Sequence, residues 1–157
     1  MKRYSYKIGV SLMALVLVGF NAMTALANIR PFHLVEHGTL TPNQDGTITA
    51  IGRGTATHLG TIRVRRTFTL TPTSTANELN LEGHATLTMA DGDKLETGLE
   101  GILVVDPSTN TGHADLTYRW EGGTGRFANA SGTTLWHVDV NLADNTYEVV
   151  AEGIIKF

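Results

Sequence analysis

The sequence predicts an all-β chain, an eight-stranded antiparallel up-and-down β-barrel, and three observations carry the prediction. Eight stretches alternate apolar and polar residues with a period of two, at about 32–40, 47–57, 61–71, 78–90, 94–105, 112–121, 133–142 and 146–157. Threonine, β-branched and suited to a pleated, half-exposed surface, supplies 22 of the residues from 28 onward. The breaks are short and built of turn residues, as in Pro42-Asn43-Gln44-Asp45-Gly46 and Asp106-Pro107-Ser108-Thr109-Asn110. Connections of that length join antiparallel neighbours, and eight such strands in sequence suit a closed barrel.

The alternation assigns a face to most strands. On the first, Phe32, Leu34 and Leu40 share one side with Glu36, while His33 and His37 lie on the other. On the second, Ile48, Ala50 and Ala56 are in phase with His58, which places His58 inward near a rim. The third sets Ile62, Val64, Phe68 and Leu70 beside Arg66, and the fourth sets Leu79, Leu81, Ala85, Leu87 and Met89 together. The fifth is apolar on both sides near 102–105 and gives no clear face. Ala114, Leu116, Tyr118 and Trp120 share a face of the sixth; Trp136, Val138, Val140 and Leu142 share one of the seventh. The eighth groups Tyr147, Val149, Ala151, Ile155 and Phe157. Only the segment from Glu121 to Gly132 is longer than a turn, with room for a single helical turn.

Upstream of the strands, Lys2, Arg3 and Lys7 precede an apolar run from Ile8 to Phe20, and Ala25-Leu26-Ala27 follows. This pattern predicts a secretory signal peptide over 1–27 and a single β-barrel domain over 28–157. The protein is then expected to be exported, periplasmic or extracellular. The chain of 157 residues has no cysteine, which excludes disulfides, thiolate metal sites and a cysteine nucleophile. Losing Lys2, Arg3 and Lys7 leaves nine basic residues against all 15 acidic ones, a charge of −6. Such a domain is not expected to bind nucleic acid or anionic membrane surfaces.

Two segments go beyond pattern. Thr57-His58-Leu59-Gly60 ends the second strand, and Gly122-Gly123-Thr124-Gly125-Arg126-Phe127-Ala128-Asn129-Ala130-Ser131-Gly132 joins the sixth to the seventh. Together they resemble the bacterial secreted proteins grouped as allene oxide cyclase barrel-like, related in fold to plant dirigent proteins. The resemblance implies a dirigent-like, calycin-like eight-stranded barrel with an internal cavity; it carries no catalytic residue onto this chain. In physical terms, Gly122, Gly123 and Gly125 permit positive φ in a sharp reversal. Phe127 has the size to plug a barrel end, and Arg126 has donors for exposed strand-end carbonyls.

The candidate ligand-binding residues follow from charges that fall in phase with the interior. Arg66 and Glu36 each lie on an apolar face, and an unpaired buried charge costs several kcal/mol. A Glu36–Arg66 pair across the interior, with Tyr118, Trp120 and Trp136 as an apolar wall, would orient a polar group of a small apolar or amphipathic molecule. The alternative is an Arg65-Arg66 β-bulge that sends both side chains to solvent, or a purely structural ion pair. His58 completes the set as an inward residue, with a structural hydrogen-bonding role favoured over acid–base chemistry.

Other chemistries find little support. The six histidines show no His-x-His or HExxH spacing, and no metal or other cofactor is expected. Asp91-Gly92-Asp93 and Gln44-Asp45-Gly46 read as turns, not calcium loops. The Gly-rich segment lacks the following Lys-Ser/Thr of a phosphate loop, and there is no Gly-x-Ser-x-Gly. A ligand-binding barrel is the leading reading. Its alternatives are a cavity isomerase or cyclase by fold analogy, and a structural barrel with a filled interior. An outer-membrane barrel ranks last, because the eight aromatics from residue 28 onward are too few for two interfacial girdles. Homo-oligomerisation is compatible with all of them.

Overall fold

The computed structural model describes residues 29–157, and the expected signal peptide, 1–27, lies outside the described residues. Eight strands follow in order: β1 (Ile29–Pro42), β2 (Ile48–Ala56), β3 (Gly60–Pro72), β4 (Glu78–Met89), β5 (Lys94–Asp106), β6 (Thr111–Gly123), β7 (Thr133–Asn141) and β8 (Thr146–Lys156). Each pairs antiparallel with its neighbour in sequence, and β8 pairs with β1 to close the barrel. Among the described residues, closure leaves no strand edge of the sheet open to template aggregation.

The period-two pattern decides which side chains fill the interior. Leu34, Ile62, Val64, Leu87, Trp136 and Ile155 are fully buried, as the alternation predicts. On β5 the inward set is Leu95, Thr97, Leu99 and Leu103, while Ile102 and Val104 face outward, which resolves the strand that is apolar on both sides. Register runs unbroken through Arg65 and Arg66 on both flanks of β3. Arg65 is exposed and Arg66 buried, so no bulge carries both to solvent.

Up-and-down topology sorts the connections into two ends. The β1–β2, β3–β4, β5–β6 and β7–β8 hairpins share one end; the β2–β3 and β4–β5 turns, the β6–β7 connection and the C-terminus share the other. At this second end a 3-10 turn, Gly125–Phe127, sits within the β6–β7 connection and buries Phe127 completely. Phe127 meets Phe157 edge-on at 4.8 Å, closing the barrel there. Gly122 and Gly125 take positive φ, as the reversal requires, but Gly123 does not. Gly123 is needed for a different reason: a Cβ there would run into the Lys94 carbonyl of the paired strand.

Thr57-His58-Leu59-Gly60 and the glycine-rich connection meet at this closed end. The Arg126 guanidinium donates to the His58 carbonyl at 3.3 Å, and its Cζ lies over the Phe127 ring, 4.7 Å from the centroid. Thr57 ties the turn to β1 by accepting from the His33 amide at 2.9 Å and donating to the Pro31 carbonyl. His58 itself corrects the sequence expectation: it is exposed, not interior. Its φ of +64° breaks the extended geometry, so the period-two phase carried along β2 ends at Ala56 and Leu59 takes the buried position instead.

Candidate functional site

Glu36 on β1 and Arg66 on β3 meet inside the barrel, across the intervening β2. Arg66 Nη1 donates to Glu36 Oε1 at 2.7 Å and Nη2 to Oε2 at 2.6 Å, the paired-fork geometry that suits guanidinium and carboxylate. Tyr147 from β8 donates its hydroxyl to Glu36 Oε1 at 2.6 Å and accepts from Arg66 Nη1 at 2.9 Å. Arg66 Nε donates to the Tyr118 hydroxyl. Four elements of a closed barrel thus converge on one charge pair, and both carboxylate oxygens are satisfied.

The electrostatics follow from that geometry. Burial works against the charge on Arg66, but the oxygens of Tyr118, Glu36 and Tyr147 more than offset it and hold the guanidinium protonated beyond its ordinary range. Burial pushes the phenols of Tyr118 and Tyr147 upward, so both stay neutral. Tyr147 is the member that sequence reasoning missed. A tyrosine among valines on an inward face reads as core; its signal was a hydroxyl that, once buried, needs a partner.

Space for the cluster comes from Gly52, which faces Val64 on β3 and Gly38 on β1 in register. A Cβ at Gly52 would collide with the Glu36 carboxylate and the Tyr147 hydroxyl. Gly52→Ala is therefore expected to lower stability by about 1–3 kcal/mol, the ordinary range for overpacking. Urea unfolding of the variant checks this; an unchanged midpoint would mean the cluster shifts freely and is not held by the wall.

Phe32, Tyr118, Trp120 and Trp136 lie on the closed-end side of the pair. Tyr118 stacks on Trp136 at 4.0 Å, and Phe32 contacts Trp120 edge-on at 5.3 Å and Trp136 at 6.3 Å. Trp136 Nε1 donates to Thr134 at 2.7 Å, whereas Trp120 Nε1 is buried without a partner among the described residues. The expected aromatic wall of a pocket is instead solid packing. The cavity, about 80 Å³, lies on the other side, towards the four-hairpin end. Its lining is apolar and mostly aliphatic, with Leu40, Leu99, Leu116 and Val140 beside the Phe68 ring, and Arg66 and Tyr147 among the walls. Of the six residues singled out from sequence, Arg66 alone lines it; Glu36 sits behind Arg66, and Tyr118, Trp120 and Trp136 belong to the filled half.

The four hairpins around this open end carry Asp45, Glu78, Asp106 and Asp144, and no lysine or arginine lies between 41–48, 71–79, 105–112 or 141–147. Hydrogen bonds from the Thr47 and Ser108 side chains hold the Asp45 and Asp106 carboxyls below their ordinary range, so both are charged at neutral pH. These bonds are turn contacts, as expected for aspartates at hairpin tips. On the outer surface, strand pairing brings together residues that look scattered in sequence: His113 and Asp115 on β6 face Asp139 and His137 on β7. No family model matches the chain, and no curated protein matches it in sequence.

Proposed function

We propose that this chain is an exported barrel of the allene oxide cyclase barrel-like type that takes the apolar end of a small amphiphile into its open half. The observation that carries this reading is the apolar cavity of about 80 Å³ above a closed polar floor of Arg66 and Tyr147. Drug-sized ligand pockets run to roughly 300–1,000 Å³. A cavity this small suits an alkyl end or a single ring, with the rest of the molecule at the rim. The acidic rim selects against an anionic head and favours a neutral or cationic one. The meeting of the two signature segments at the closed end, through Arg126 and His58, supports the family reading.

The catalytic alternative is weakened by the same geometry, because the Glu36 carboxylate is tied to Arg66 and Tyr147 and does not line the cavity. Insertion in an outer membrane is disfavoured by the outer face, where Arg63, Arg65, Asp115, Asp139 and Glu148 are exposed and a lipid-facing band would be apolar.

Native mass spectrometry and calorimetry with decyltrimethylammonium, decanol and decanoate test the proposal. The first two are expected to bind one per barrel, and decanoate about tenfold more weakly, the work of roughly 1.4 kcal/mol of rim repulsion. Ala114→Leu, which fills the cavity without touching a charge, should abolish binding while the fold persists. No binding of any of the three to well-folded protein would leave the filled structural barrel as the better reading.

A further inference from the structure

We propose that the outer face of β6 and β7 is a binding site for zinc or a zinc-like first-row divalent cation, with His113, Asp115 and His137 as ligands. One ligand atom from each of the three lies within 4.8 Å of the others. Asp115 Oδ1 stands between the two rings, 3.4 Å from His113 Nε2 and 2.6 Å from His137 Nδ1. Ligands at about 2.0–2.2 Å from a tetrahedral zinc ion are separated by roughly 3.3 Å. The His113 edge already has that spacing. The His137 edge opens to it by a small rotation of an exposed side chain.

What distinguishes this cluster from ordinary surface ion pairs is the fourth residue. Asp139 Oδ1 lies 2.8 Å from His113 Nδ1, the ring nitrogen that does not face Asp115. A carboxylate on the far nitrogen fixes the tautomer and orientation of a metal-binding imidazole, presenting Nε2 with its lone pair to the ion. The two rings lie nearly parallel, 13° apart, with centroids 6.5 Å from each other. The ligands stand on adjacent strands of a closed barrel, where register fixes their spacing: His113 opposite Asp139, and Asp115 opposite His137. Two imidazoles and one carboxylate are a donor set for zinc, nickel or copper and a poor one for magnesium or calcium. Three protein ligands leave a coordination position to water or to a further donor.

Calorimetry of the folded protein, carrying no histidine tag, with zinc chloride tests the site. Binding of one zinc per chain is expected, with at least about tenfold weaker binding in His113→Ala and in His137→Ala. Asp139→Asn should weaken it without removing a ligand. His33→Ala and His84→Ala, on other strands, should leave it unchanged. Cobalt in place of zinc should give the visible absorption of a four-coordinate ion in the parent and lose it in His137→Ala. All the variants are at exposed positions, and equal thermal melting without metal shows that they fold. Zinc binding that survives both His113→Ala and His137→Ala, or that falls equally with His33→Ala, would overturn the assignment. So would an absence of binding in the parent, or preference for magnesium.

Discussion

Arg66→Ala is expected to destabilise the barrel by about 3–5 kcal/mol, the cost of breaking a buried ion pair by removing one partner. That is a large share of the roughly 5–15 kcal/mol that holds a domain of this size folded. The Glu36 side chain has no exposure to solvent, so it cannot exchange the lost guanidinium for water. Tyr118 loses its donor at the same time, and Tyr147 one of its two partners. Replacing both charges, Glu36→Leu with Arg66→Met, should recover part of the loss, since apolar side chains of similar volume avoid the desolvation of two ions. Adding Tyr147→Phe should recover more, by removing a hydroxyl left without an acceptor. Guanidinium unfolding of the three variants gives the order directly. A single Arg66→Ala that costs under about 1 kcal/mol would mean that water reaches Glu36 and that the interior is wetter than its packing implies.

The barrel was legible because every strand repeats one simple rule, inward apolar and outward polar, and every hairpin carries its own turn chemistry. The Glu36–Arg66 pair was legible for a related reason: a charge in phase with leucines must find an opposite charge. Phase, however, gives only the face. It does not give the level along the barrel axis, which depends on strand tilt and register. Trp136 and Tyr118 were therefore rightly placed inside and wrongly placed around the cavity; they lie below Arg66 and outside the cavity lining. His58 failed because a single left-handed residue ends the alternation. Gly52 carried no visible signal, since its importance lies in two side chains from other strands that occupy the place of its missing Cβ. His113 and His137, 24 positions apart, become neighbours only through the β6–β7 register, which spacing motifs along the chain do not encode.

The two ends of the barrel divide the labour. The hairpin end is acidic, apolar inside and formed of four tight hairpins. The floor is a paired cluster in which the charges of Glu36 and Arg66 offset each other. On the proposed reading, selectivity would rest on the rim charges and on the small volume, while stability rests on what seals the other end.

That seal is the second large expectation: Phe127→Ala should cost about 3–5 kcal/mol, the usual range for removing a buried phenyl ring. The size of the effect turns on whether the structure can collapse into the void. Here it cannot easily do so, because the surrounding strands are held in a closed ladder of hydrogen bonds and the connection is pinned at both ends. The Ser131 amide donates to the Lys156 carbonyl at 2.9 Å, and the Thr124 amide to the Lys94 carbonyl at 2.9 Å. Phe157, left without its edge-on neighbour, would stand against a cavity instead of a ring. Arg126→Ala is the contrast: it removes an exposed side chain, one long hydrogen bond and its contact with the Phe127 ring, and should cost about 1 kcal/mol. Thermal melting separates the two, with a fall of roughly 10–20 °C for Phe127→Ala and a few degrees at most for Arg126→Ala. Equal small shifts would mean that the connection folds inward to refill the barrel end, and that closure belongs to the strands alone.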